Sequence, residues 1–337
     1  MSEAIRHYTN EFRSRRDVSP HDAEFLFADM IASDDVDSLA NLLSAWSSKG
    51  ATEDELFRFA TIMRSRMKRL EHNYDAVVDI VGTGGSRSKT FNVSTAAAFV
   101  IAGAGIPVAK HGNRAATSSS GSSDVLSELG INVDIEPELT ANNLADHGIC
   151  FMFAPRFHSL SPTLAAARKQ VAGPTIFNNL GPLCNPSLAQ HQVIGVWDRS
   201  LVTKTARVLA RLGTTHSWVV HGSNGLDEIA LDAPTFVAEI KKGSINELML
   251  DAPEIGLTAS ADRIPYGCNA SQSCEIIEAI LNNEMNNSNA ENLVVLNAAT
   301  AILVYGKADD IAQGIGTAKE SIVSGNAQRK LNELRTK

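Results

Sequence analysis

Residues 77–124 read VVDIVGTGGSRSKTFNVSTAAAFVIAGAGIPVAKHGNRAATSSSGSSD, and this stretch decides the fold. The β-branched apolar run Val77–Val81 has strand character and stops at a glycine turn, Gly82-Thr83-Gly84-Gly85. After a polar loop, Asn92-Val93-Ser94-Thr95 opens an alanine-rich segment of helical character. A second short apolar run, Ile106–Ala109, leads into Lys110-His111-Gly112-Asn113-Arg114 and a dense run of Ser, Thr and Gly. Glycines let a ligand approach bare backbone. Exposed amides, hydroxyls, a Lys and an Arg can donate hydrogen bonds to an anion, and a helix start adds the positive end of its dipole. This chemistry suits a phosphorylated small molecule. The turn alone is weak support. It is not a Walker A loop, which would need glycines where Thr83 and Ser88 stand, and Arg87 takes the place of the last glycine of GxGxxG. The phosphate reading gains its weight from NVST and KHGNR lying in the same βαβ-sized unit.

Working outward, residues up to about 71 read as short helices. Ser19-Pro20 predicts an N-cap and first helical position, with Phe25, Leu26, Met30 and Ile31 as the apolar face. Leu39, Leu42, Leu43 and Trp46 repeat that spacing, and Gly50 ends the second helix. Thr52 with Glu55 fits a capping box, followed by Leu56, Phe59, Ile62 and Met63. From about Asp75 the pattern becomes short strands alternating with helices. The strands expected are Val77–Val81, Ile106–Ala109, Cys150–Phe153, Val193–Trp197 and Trp218–His221, with Val202–Leu212 among the helices. Leu164–Val171 is helical again, and Leu293–Tyr305 and Ile311–Ile322 read as two packed helices. The fold class is α/β: a small helical domain over residues 1–72, and a large α/β domain over 73–337 whose central, mostly parallel sheet is flanked by helices.

Composition narrows the partners. The chain has 337 residues, 44% of them apolar, enough for a sizeable core in one large or two unequal domains. With 38 acidic against 30 basic residues the net charge is −8, which argues against a nucleic-acid track. The basic run Arg64–Arg69 reads as the solvated end of a helix. Cys150, Cys184, Cys268 and Cys274 lack CxxC spacing, so idle thiols in a reducing cytoplasm are expected rather than zinc or redox work. The N-terminus has no apolar h-region. The longest apolar stretch, Ala96–Ala109, is too short and too interrupted by Gly103, Gly105 and Pro107 to span a membrane.

Three further features carry chemistry. Asp227-Glu228, in VVHGSNGLDEI, could hold magnesium with phosphate and water completing the shell, although acidic pairs in loops are mostly solvated surface. Arg168, in LAAARKQ, is either a surface residue of an alanine-rich helix or a guanidinium facing a substrate carboxylate. His111, His158 and His221 are candidate acid–base groups, but no Ser-His-Asp or HExxH arrangement frames them.

Together these motifs resemble the anthranilate phosphoribosyltransferase family, of the nucleoside-phosphorylase-like class. The resemblance runs through SKGATEDEL, GTGG, NVST, KHGNRAATS, FAPRFH, TIFNNLGPLCNP, HGSNGLDE and LNAATAILVYGKA. It implies magnesium-dependent transfer of phosphoribosyl from phosphoribosyl pyrophosphate (PRPP) to anthranilate, an early step of tryptophan synthesis, by a glycosyltransferase. It implies a PRPP site of Gly82, Gly85, Ser86, Thr90, Asn92, Val93, Ser94, Thr95, Lys110, Ser118 and Ser122. It implies an anthranilate site of Gly82, His111, Asn113 and Arg168, and two magnesium ions at Ser94, Asp227 and Glu228. No nucleophile is implied, because the amine starts neutral and catalysis is positioning and electrostatics. Relatives dimerise through the helical domain, and their architecture returns residues of about 160–190 to it. The chain departs from the family in two places. Ser86 stands where the family carries an aspartate directly after GTGG, with Asp79 or water open to compensate. Ser159-Leu160-Ser161-Pro162-Thr163 stands where a large and a basic side chain are usual. The departures motivate an alternative, a paralogous phosphoribosyltransferase with another aromatic acceptor. A non-enzymatic, nucleic-acid-binding relative is a third reading, opposed by the acidic balance and the intact KHGNR and Asp-Glu motifs.

Overall fold

The computed structural model describes residues 2–86, 89–114 and 120–335. The chain begins with four helices, α1 (Glu3–Arg13), α2 (Ala23–Ala32), α3 (Val36–Lys49) and α4 (Glu53–Arg66). Strand β1 (Val78–Gly82), α5 (Val93–Gly103) and β2 (Val108–Gly112) form a βαβ unit. Next come α6 (Ser122–Glu128), α7 (Pro137–His147), β3 (Ile149–Phe153), the single turn α8 (Ala154–Phe157), α9 (Pro162–Gln170) and α10 (Ile176–Leu183). Then follow β4 (His191–Gly195), α11 (Leu201–Arg211), β5 (His216–Gly222), β6 (Thr235–Lys241) and β7 (Ser244–Leu250). Helices α12 (Ala270–Leu281), α13 (Asn289–Tyr305), α14 (Ile311–Val323) and α15 (Asn326–Leu334) complete the chain.

The seven strands form one sheet in the order β3-β2-β1-β4-β5-β6-β7. The five expected strands are all present and mutually parallel, each with ends within three residues of its sequence bounds. The β6–β7 hairpin was not anticipated, and it adds two antiparallel strands at one edge. Its turn, Lys242-Gly243, has positive φ at both residues (51° and 80°), the geometry a two-residue hairpin turn needs.

Helix α5 is buried along almost its whole length because it lies against β1 on one side and α13 and α15 on the other. Its alanines keep it thin enough for this sandwich. Gly103 allows the closest approach: a Cβ there would lie 2.5 Å from the backbone nitrogen of Ala327. Helix α13 is apolar all round and correspondingly buried from Asn289 to Ile302. It packs against α14, as expected.

The N-terminal helices form their own cluster, built on Phe12, Trp46 and Phe59, with Trp46 stacked on Phe12 at 4.7 Å. Helices α9 and α10 pack onto α3 and α4, so this cluster recruits the chain between β3 and β4. The Thr52–Glu55 capping box and the Gly50 terminator form as read. Two local expectations fail. The Ser19-Pro20 pair starts a turn rather than the helix: Asp22 donates its N–H to Ser19 Oγ at 3.2 Å, and α2 begins at Ala23. Phe25 is 64% exposed, because the buried stripe of α2 is Ala23, Leu26, Phe27 and Met30, at i, i+3, i+4 and i+7.

Glu55 does more than cap. Its carboxylate accepts from Thr52 N (2.9 Å), Val18 N (2.9 Å), Trp46 Nε1 (3.2 Å) and Lys49 Nζ (2.8 Å), all beneath the surface. Removing it strands a buried ammonium and several N–H donors. Glu55→Ala should therefore lower the unfolding free energy by about 3–5 kcal/mol. Urea denaturation followed by tryptophan fluorescence checks this, and a loss below about 1 kcal/mol would contradict the network's role.

Candidate active site

In an open α/β sheet, ligands bind beyond the carboxyl ends of the strands where strand order reverses. Here the reversal lies between β1 and β4, and three loops converge there. The glycine turn leaves β1, Val196-Trp197 leaves β4, and the acid loop 223–228 leaves β5. Thr83 donates its N–H to Gly195 O at 2.9 Å. Asp227 settles over both strand ends: a Cβ on Gly82 would lie 2.7 Å from Asp227 Oδ2, and one on Gly195 would lie 1.7 Å from Asp227 O. Gly84, at φ +71°, donates its N–H to Asp227 Oδ2 at 2.9 Å. These glycines therefore admit the protein's own acid loop. Gly85 serves packing too, since a Cβ there would meet Pro174 and Trp197 within 3 Å.

The expected site residues are brought together around this junction. Ser86 donates to Gly225 O at 2.6 Å, tying the glycine turn to the acid loop. Thr90 Oγ1 donates to Glu228 at 3.0 Å. Burial and then the neighbouring Asp227 charge push the Glu228 carboxyl up to about 8. Asn92 adopts the left-handed conformation (φ 62°, ψ 48°) just before α5 and donates to Ser120 Oγ at 2.9 Å. Val93 turns its side chain into the core, so only its backbone faces the helix start. Thr95 is buried with Oγ1 unpartnered among the described residues. Ser122 lies against Gly112, where a Cβ would meet its Oγ at 2.3 Å, and Asn113 is exposed beside it. Ser118 lies outside the described residues.

Lys110 is 2% exposed. Its ammonium donates to Ile80 O and, at 3.1 Å, to Ser94 Oγ at the start of α5. Burial lowers its pKa to about 8, against the pull of Asp79 and Glu228. Asp79 is not available to replace an aspartate at position 86. It is wholly buried, accepts from Asn185 Nδ2 at 2.8 Å and from His111 N at 3.3 Å, and is pushed up to about 6 by burial.

Two residues expected on the acceptor side, His111 and Arg168, lie against α10. Arg168 stacks its guanidinium 5.2 Å from the Phe177 ring centroid and makes no ion pair among the described residues. Desolvation lowers its pKa, so it is not the freely solvated residue of the bland alternative. Asn178 donates to Thr83 O at 3.1 Å, joining α10 to the glycine turn. Pro182 ends α10, and its last carbonyls are taken by side chains from three other elements. Gly181 O bonds His111 Nδ1 (3.0 Å), Pro182 O accepts from Gln192 Nε2 (3.0 Å), and Leu183 O accepts from Arg64 Nε (2.7 Å). Arg64 thus holds a helix end rather than solvent. Because a carbonyl can only accept, His111 carries its proton on Nδ1 and a bare lone pair on Nε2. Its ring lies 5.1 Å from that of His158, and neither Nε2 has a partner among the described residues. Burial first, then the other charges nearby, holds His111 at about 3, and burial holds His158 at about 4. His221 is structural, bonded to Val196 O at 2.8 Å. The departing segment 159–163 begins a helix: Ser161 Oγ accepts from Leu164 N at 3.1 Å and Pro162 takes the first helical position. Sequence reading missed Ser86's bond to Gly225 and the role of Asn178. Both depend on contacts across more than 90 residues.

Comparison with known proteins gives the family. Residues 74–328 match the model of the glycosyl transferase family, a/b domain. A protein of Pelotomaculum thermopropionicum named anthranilate phosphoribosyltransferase is 44% identical over 296 residues, covering 88% of this chain and 85% of that protein. The crystal structure of anthranilate phosphoribosyltransferase from Thermus thermophilus superposes with a TM-score of 0.87 at 31% identity, over 99% of this chain and 100% of that one. The Saccharomyces cerevisiae enzyme in complex with PRPP and Mg gives 0.86 at 26% identity, over 99% and 98% of the two chains. By family model, sequence identity and overall superposition, this chain belongs to the glycosyl transferase family, among the anthranilate phosphoribosyltransferases.

Proposed function

We propose that this protein transfers the phosphoribosyl group of PRPP to the amine of anthranilate and releases diphosphate, a step of tryptophan synthesis. The observation that carries this reading is the junction of the glycine turn with the acid pair, through Gly84–Asp227 and Thr90–Glu228, beside the start of α5. An anionic donor can meet helix N–H groups and the Lys110 charge there, while the acids face it through a cation. The half-buried pair Asp227-Glu228, with the Ser94 hydroxyl, suits magnesium, which takes one or two carboxylates and keeps positions for phosphate oxygens and water. Two ions are our assignment. Bound there, magnesium would neutralise the diphosphate and improve it as a leaving group.

In the reaction the carbon–nitrogen bond forms at the anomeric carbon as the carbon–oxygen bond to diphosphate breaks, and the nitrogen then loses a proton. Arg168, desolvated and without an anionic neighbour, suits the anthranilate carboxylate. The bare Nε2 of His111 can accept an N–H of the amine, and Asn113 and Gly82 complete the acceptor site. Of the PRPP residues, Gly82, Gly85, Ser86, Thr90, Asn92, Val93, Thr95, Lys110 and Ser122 surround the donor in this assignment, and Ser118 continues it. We assign residues 1–72 with about 160–190 to the acceptor-presenting lobe and 73–337 to the donor-holding lobe, with α10 as their joint. We further propose a homodimer through the helical lobe, supported by exposed Phe25, and a cytoplasmic setting, supported by four free cysteines. No helix among the described residues is long and apolar enough to cross a membrane.

Loss of anthranilate fluorescence in the presence of PRPP and magnesium measures the activity directly, and a folded protein that leaves the fluorescence unchanged refutes it. In that assay Asp227→Ala with Glu228→Ala should lower kcat/KM by about a thousandfold or more. Arg168→Glu should raise the KM for anthranilate by at least about tenfold, and an unchanged KM would remove its role. The two buried histidines also set a pH limit. Their folded pKa values lie below the ordinary 6.5, so the stability they contribute is complete above about pH 6.5 and is lost as pH falls toward 4 and then 3. The melting temperature should drop between about pH 7 and pH 4.5, and less so in His158→Gln; equal drops in the two proteins would contradict this.

A further inference from the structure

A loop outside these motifs reaches the donor side of the junction. Residues 256–269 connect a short turn at Ala252–Ile255 to α12. Ile264 and Cys268 anchor the loop in the core beneath the sheet, and between them Tyr266 stands 48% exposed. The backbone beside Tyr266 is pinned to the donor segment at two points. Gly267, at φ +70°, donates its N–H to Lys89 O at 2.7 Å. Ser120 Oγ donates to Cys268 O at 3.4 Å while accepting from Asn92 Nδ2 at 2.9 Å. The loop therefore bridges the stretch after the glycine turn and the stretch before Ser122.

The phenol of Tyr266 lies near Asp232, four residues beyond Glu228. Partial burial, the charges of Asp232 and Glu228, and a hydrogen bond to Asp232 together hold its proton above the ordinary range, so it stays a neutral donor. Asp232 in turn accepts from Asn224 Nδ2 at 2.7 Å, and Asn224 Oδ1 accepts from Leu226 N at 3.3 Å. Tyr266 is thus oriented by the loop that carries Asp227 and Glu228. Tyr8, whose ring packs in the helical core, is by contrast 4% exposed. Tyr266 keeps half its surface open at the edge of a site built for anions, where an aromatic ring with a hydroxyl tip can both wall a sugar and donate to an oxygen.

We propose that Tyr266 is a donor-binding residue, its ring walling the sugar diphosphate on the side of Thr90 and Glu228 and its hydroxyl passing from Asp232 to a donor oxygen. This role rests on the phosphoribosyl transfer proposed above. Calorimetric titration with PRPP and magnesium, run beside steady-state kinetics, tests it on the wild type, Tyr266→Phe and Tyr266→Ala. The Phe variant should raise both Kd and KM for PRPP by about tenfold, and the Ala variant by more, with the KM for anthranilate and the melting temperature unchanged. Donor affinity equal to wild type in both variants overturns the proposal. So does a parallel rise in both KM values with a lowered melting temperature, which would make Tyr266 a structural residue. No heat from the wild type with PRPP instead overturns phosphoribosyl transfer itself, and this role with it.

Discussion

The approach of Asp227 to the ends of β1 and β4 is the contact on which the site depends. It brings a carboxylate onto two strand ends and into hydrogen-bond range of the glycine-turn backbone. No side chain larger than hydrogen fits at Gly82 or Gly195 without displacing it. An isolated carboxylate in such a place would be costly. Its partners are backbone N–H at Gly84 and, through Glu228, the Thr90 hydroxyl, so the acid loop is held before any ligand arrives. Preorganisation of this kind lets electrostatic stabilisation act without rearrangement during the reaction.

Charge beneath the junction is arranged in the same economical way. Lys110 and Asp79 are both buried under the strand ends, one lowered and the other raised by desolvation. Neither makes a direct ion pair among the described residues. Lys110 is held by Ile80 O and Ser94 Oγ, and Asp79 by Asn185 and the His111 amide. A buried ammonium beside a helix N-terminus makes a region of positive potential in an otherwise acidic protein. That reconciles a net charge of −8 with an anionic donor.

Helix α10 connects these strand ends to the N-terminal helices. A proline one residue before its end truncates it, and its exposed carbonyls become acceptors for β2, β4 and α4 at once. The same helix carries Phe177 under Arg168 and Asn178 on the glycine turn. Groups far apart in the chain are thus set by one short rigid element. Its small movements would alter acceptor and donor sides together.

The sequence by itself determined the alternation of strands and helices from Asp75 onward and the five parallel strands, because periodicity, β-branching and glycine placement act over a few residues. The β6–β7 hairpin was latent in TFVAEIK-KG-SINELML, whose alternation and Lys-Gly turn are local signals that the reading passed over. Tertiary structure decided the rest. Asp79 looked like a spare metal ligand and is a buried partner of Asn185; Arg64 looked solvated and holds a helix end; the glycines that seemed reserved for a ligand first admit Asp227. Each of these depends on which distant segment arrives at a strand or helix end, and burial and hydrogen-bond partners across 90 or more residues leave no periodic trace in the chain.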